Sequence, residues 1–133
     1  MKRSKTSLLA AVAIASATLS LDVARADAND YEFKLIEQEI KAGDGAIISV
    51  RLAHKKSGKP VDDAVIFAKR IDMAPDGMPT MAEALVPHPS DQPGVYRFRT
   101  NLTMEGRWQL SLGAKVQGEA GSVEARLIIK AVP

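Results

Sequence analysis

The chain has 133 residues, with 18 lysines and arginines against 16 aspartates and glutamates, and no cysteine. It is long enough for one domain with a single core and too short for several. Without a thiol it has no disulfide, no cysteine nucleophile, no lipid-modified cysteine, and no zinc or iron–sulfur site built on thiolates.

The first residues read as an export signal. Lys2, Arg3 and Lys5 precede an uncharged, Ala- and Leu-rich stretch from Thr6 to Leu21, and Ala24-Arg25-Ala26 supplies a small-x-small cleavage pattern. Residues 1–26 are therefore expected to be a signal peptide cleaved near Ala26, and 27–133 the mature domain. An uncleaved membrane anchor is the alternative. Cleavage removes Lys2, Arg3, Lys5, Arg25 and Asp22, which leaves 14 basic against 15 acidic residues. The mature domain then has no basic excess of the kind nucleic acid attracts, so no nucleic-acid partner is expected. The expected location is the periplasm.

Period-two alternation dominates the rest of the chain and predicts half-buried strands. In chain order, a weak strand covers Tyr31–Ile40. A strong one from Ala46 to His54 places Ile48, Val50 and Leu52 on one face. Another weak one runs from Val61 to Met73, and a short one covers Ala82–Pro87. Tyr96, Phe98 and Thr100 alternate with Val95, Arg97 and Arg99; Trp108, Leu110 and Leu112 alternate with Gln109 and Ser111. In the last strand Val123, Ala125, Leu127 and Ile129 share a face, and the apolar run Leu127–Ile129 predicts cover on both sides. Turn signals separate the strands, among them Pro75-Asp76-Gly77 and Asp91-Gln92-Pro93-Gly94. About seven short antiparallel strands predict an all-β, immunoglobulin-like sandwich. Trp108, in phase with Leu110 and Leu112, reads as the largest core side chain.

Chemistry concentrates in "IDMAPDGMPTM", Ile71 to Met81, which holds Met73, Met78 and Met81 although the chain has only five methionines. Proline and glycine in Pro75-Asp76-Gly77 fold the chain back, carrying Met73 toward Met78 and Met81. Thioether sulfur is a soft, uncharged donor suited to Cu(I), and it has no proton to lose. His88, seven residues after Met81, is the candidate fourth ligand, and Met104 a further one. The competing reading is a set of flexible plugs over the end of a core, or an adaptable binding surface. Motifs of metalloproteases, serine hydrolases and phosphate-cradling loops are absent, and adjacent Asp62 and Asp63 would point to opposite faces of a strand, so no enzyme is expected.

Two stretches carry a family likeness. "PGVYRFRTNLTMEGRWQLSL", Pro93 to Leu112, with Pro-Gly-x-Tyr and Met-x-Gly-Arg-Trp, and upstream "VDDAVIFAKRIDMAPDGMPTM" resemble the FixH/YtkA-like family of bacterial exported or membrane-anchored domains. The likeness spans Tyr31 to Lys130. It implies an immunoglobulin-like fold and a setting in copper transport, metal efflux or haem–copper oxidase assembly. It also implies a methionine-bearing loop at Met73, Met78 and Met81, and the pattern Met104, Gly106, Arg107 and Trp108. The expected function is periplasmic Cu(I) carriage or buffering. Two alternatives stay open: a metal-free accessory module that docks on a membrane transporter or oxidase, and a small-ligand-binding sandwich. The oligomeric state, monomer or homodimer, also stays open.

Overall fold

A computed structural model describes residues 28–133. The expected signal peptide and its cleavage site lie outside the described residues. Nine strands follow one another: β1 (Tyr31–Leu35), β2 (Glu39–Lys41), β3 (Gly43–His54), β4 (Val65–Met73), β5 (Met78–Glu83), β6 (Val86–His88), β7 (Val95–Leu102), β8 (Gly106–Lys115) and β9 (Val123–Val132). They form two sheets, β1-β3-β7-β6 and β2-β9-β8-β4-β5. The protein is an all-β sandwich of immunoglobulin-like type, as the alternation predicts.

Alternation places the core where it was expected. Ile48, Val50 and Leu52 of β3 face Trp108 and Leu110 of β8 and Ile129 of β9 across the sandwich, and all six are fully buried. Each such aliphatic side chain contributes about 1.5–3 kcal/mol relative to exposure, so this interface is the main source of stability. Phe98 and Thr100 of β7 are also buried, and the Thr100 hydroxyl donates to the Ala84 carbonyl at 2.8 Å, which satisfies it inside the fold.

Four expectations are corrected. The predicted strand Tyr31–Ile40 is two strands in different sheets: β1 pairs antiparallel with β3, and after Ile36–Gln38 the chain crosses so that β2 pairs parallel with β9. A change of sheet keeps the backbone extended, so hydropathy alone does not reveal it. Val61–Ala64 is not part of β4; it lies against the start of β7. The short strand expected over Ala82–Pro87 is divided between β5 and β6, which belong to opposite sheets. Finally, Leu127–Ile129 is not covered on both sides, because Ile128 is 44% exposed.

The start of β7 is held by a polar latch. The Tyr96 hydroxyl donates to the Val61 carbonyl at 2.7 Å and accepts from the Ala64 amide at 3.1 Å. Beside it the Gly94 amide donates to Asp62 Oδ1, so Asp62 is a structural acceptor as well as a solvated residue. Gly94 has φ 72°, and a Cβ there would lie 2.6 Å from the Pro60 Cβ and 3.0 Å from the Leu52 carbonyl oxygen. Only glycine satisfies both demands, which gives the Pro-Gly-x-Tyr pattern a physical reason.

Candidate metal centre in the methionine hairpin

The methionine-bearing segment is a β-hairpin at the far end of β7 from the Tyr96 latch. β4 runs into a single 3-10 turn, Ala74–Asp76, which Gly77 ends at φ 76°. The chain then returns as β5, so the segment predicted as a loop is half strand. Met73 and Met78 are direct Cα partners, while Asp72 already pairs with Ala82, so Pro79, Thr80 and Met81 bulge out of the ladder. Proline lacks the amide that regular pairing would use, and a bulge accommodates it.

Two polar clamps fix this hairpin. In the first, Arg70 Nε donates to Asp72 Oδ2 at 2.7 Å and Arg70 Nη2 donates to the Pro79 carbonyl at 2.9 Å. Asp72 Oδ1 accepts the Ala74 amide at 2.9 Å, so the buried carboxylate joins the strand, the turn and, through Arg70, the bulge. In the second, Asp76 accepts from the Arg107 amide at 2.7 Å and from Arg107 Nε at 2.9 Å, while Arg107 Nη2 donates to the Pro75 carbonyl at 2.7 Å. The backbone hydrogen bond from Arg107, followed by its side-chain hydrogen bond and charge, holds the Asp76 carboxyl below its ordinary value.

The clamp explains the Met-x-Gly-Arg-Trp pattern. Gly106 has φ 134°, and a Cβ there would sit 2.6 Å from Asp76 Oδ2 and 2.9 Å from the Met73 methyl carbon. Arg107 grips the 3-10 turn. Trp108, fully buried, donates its indole N–H to the Met104 carbonyl at 3.0 Å and closes the turn between β7 and β8. Residues 31 positions apart are thereby locked together. Proximity of this kind has no local signature, and sequence reasoning passed over Asp76 and Arg107 as a pair.

The structure brings some of the candidate ligands together. Met73 is fully buried; Met78 and Met81 are half-buried and packed against the same core. All three belong to one hairpin. Met104 lies in the turn that leads into Gly106, at the same end of the sandwich, and is 41% exposed. His88 is elsewhere. It belongs to β6 in the other sheet and pairs with Arg97, which precedes Leu102, the last residue of β7, by five positions. At about 3.4 Å per residue that is roughly 17 Å along the strand from the methionine end. His88 instead lines a groove of about 370 Å³ between β4 and β6, with Ile66, Lys69 and Arg97.

The donor chemistry in the hairpin is that of a soft cation. No group of three or more His, Asp or Glu side chains placed to hold a metal occurs among the described residues, and Asp72 and Asp76 are occupied by arginines. Three thioethers fit Cu(I) and do not fit a hard divalent ion, which requires oxygen ligands.

Comparison with known proteins places the chain. It is similar to the crystal structure of the Lin-41 filamin domain, at 15% identity and TM-score 0.47 over 77% of this chain and 92% of that one. It is also similar to the ZirS C-terminal domain, at 12% identity and TM-score 0.46 over 100% of this chain and 87% of that one. No curated protein matches it. A family described as YtkA-like matches residues 25–113, a span that contains the Gly94–Tyr96 latch, the methionine hairpin and the Gly106–Trp108 clamp. The chain belongs to the YtkA-like family.

Proposed function

We propose that the protein is an exported copper-handling domain that carries or buffers Cu(I) on its methionine hairpin. The observation that carries this reading is the Met73–Met78 pairing, with Met81 in the adjoining bulge: three soft donors on one clamped hairpin, two of them half-buried. Met78 and Met81 are the accessible ligands. Met73 stands behind them in the core, and Met104 is the candidate from the neighbouring turn. A cation reaching Met73 requires the bulge at Pro79–Met81 to open, which the hairpin edge permits because, among the described residues, β5 has no strand on its outer side.

Competition against a chromogenic Cu(I) chelator tests the reading. Replacing Met78 and Met81 together by leucine preserves volume, so the fold is expected to persist, while copper affinity falls by at least about tenfold. His88→Ala is expected to leave affinity unchanged. Wild-type retention is expected to be flat between mildly acidic and neutral pH, since a thioether does not titrate. Equal, weak copper retention by the wild type and the double variant removes the proposal.

A further inference from the structure

One edge of β4 is open over most of its length. β4 pairs with β8 from Val65 to Asp72, but with β5 only from Ile71 to Met73. Among the described residues, Val65–Arg70 has no strand on its other side, and no backbone hydrogen bond reaches that edge from a loop. The same stretch carries Val65 and Phe67, each 59% exposed. An edge with free N–H and C=O groups and exposed apolar side chains is a template for another strand.

Concave surfaces flank this edge on both sides. Toward β6 lies the groove of about 370 Å³, lined by Ile66, Lys69, Pro87, His88, Tyr96 and Arg97 among others, with no carboxylate. Over the outer face lies a second concavity of about 380 Å³, bordered by Phe67, Arg70, Gly113, Glu124 and Arg126. Successive side chains of an added strand point to opposite faces, so they would enter the two concavities in turn.

We propose that this edge accepts an extended acidic peptide segment of a partner protein by β-strand addition. Charge selects the occupant. Lys69 and Arg97 have no ion-pair partner among the described residues, and His88 stands beside them. A second copy of this chain would bring its own Lys69 and Arg70 to an edge that already carries both, where Asp72 is paired and Glu124 borders only the outer concavity, and like charges across strands are destabilising. The ladder irregularity at Phe67 and the lysine on the edge also resist indiscriminate pairing. An acidic strand removes the charge barrier and retains the ladder hydrogen bonds. The inference does not rest on copper binding.

The probe is a capped eight-residue peptide of alternating glutamate and valine, compared with its lysine–valine counterpart, followed by amide NMR titration and hydrogen exchange. Binding of the glutamate peptide is expected to be saturable and weakened by salt, to protect amides within residues 65–70, and to exceed that of the lysine peptide by at least about tenfold. Methylating alternate backbone nitrogens of the peptide is expected to abolish it. Lys69→Glu with Arg97→Glu, with its fold checked by Trp108 fluorescence, is expected to reverse the preference. Equal binding of both peptides overturns the proposal, as does protection confined to other strands or no binding of the glutamate peptide at millimolar concentration. Capture of the same edge by anionic vesicles, in competition with the peptide, overturns it in favour of a membrane surface.

Discussion

The two ends of β7 are fastened by different chemistry. At its start, Tyr96, Gly94 and Asp62 tie the strand to Val61–Ala64 largely through neutral hydrogen bonds, with Gly94 pressed against a proline ring and a backbone carbonyl. Beyond its other end, Asp76 and Arg107 hold the methionine hairpin through exposed, charge-assisted bonds, and Gly106 faces only the tips of two side chains. The first fastening has no slack. The second can give more readily than the first, because its contacts are the ends of side chains.

Substitutions can break that contrast, beginning with the largest effect. Gly94→Ala is expected to cost about 3 kcal/mol in denaturant unfolding, because the new Cβ meets groups that cannot move aside and the positive φ strains any other residue. Gly106→Ala also strains a positive φ, but it meets a carboxylate oxygen and a methyl that can swing away. About 2 kcal/mol is expected, together with loss of the Asp76–Arg107 bonds. A larger cost for Gly106→Ala than for Gly94→Ala would invert the contrast. Tyr96→Phe removes the partner of two backbone groups, and about 1.5 kcal/mol is expected.

The two fastenings also differ in the direction of their pH response. Burial raises the Tyr96 phenol above its ordinary value of 10.0, opposed by the Ala64 hydrogen bond and reinforced by Asp62 and Asp63. A raised folded-state value means this contribution is complete below the ordinary tyrosine range and is lost as pH climbs through the folded value. Asp76 is lowered, so its contribution is present above the ordinary carboxylate range and is lost as pH falls through the folded value. The smallest expected effect is therefore the one most specific to the methionine end: Asp76→Asn lowers the unfolding midpoint slightly at neutral pH, and the difference from wild type closes in acid. A difference that persists unchanged in acid would show that the carboxylate charge is not what holds the turn. Tyr96→Phe should instead lose less stability than the wild type on going to strongly alkaline pH.

How far the sequence could be read follows from the range of the interactions. Strands β3, β7, β8 and β9 were legible because each has an inward face repeating every second residue, down to Ile48, Phe98, Trp108 and Ile129 individually. The division of β1 from β2 was not, since a chain crossing between sheets need not interrupt extended backbone. Within the site, the three methionines of the hairpin could be grouped from the turn residues between them. Asp76–Arg107 could not, because only the folded arrangement brings β8 against the turn. The distance of His88 from the hairpin was hidden for a related reason: the few residues after β5 carry the chain into the opposite sheet and back along its length.

The pairing of Glu39–Lys41 with Lys130–Val132 sets the order in which the molecule can be completed. A chain emerging from its amino end leaves Ile40 waiting for Ala131, so the sandwich cannot close until β9 has also emerged. During that interval the β9 position beside β8 is vacant and the apolar face of β8 lacks its neighbour. The domain thus reaches its final shape only when β9, Val123–Val132, is in place between β8 and β2, and that strand acts as the fastener.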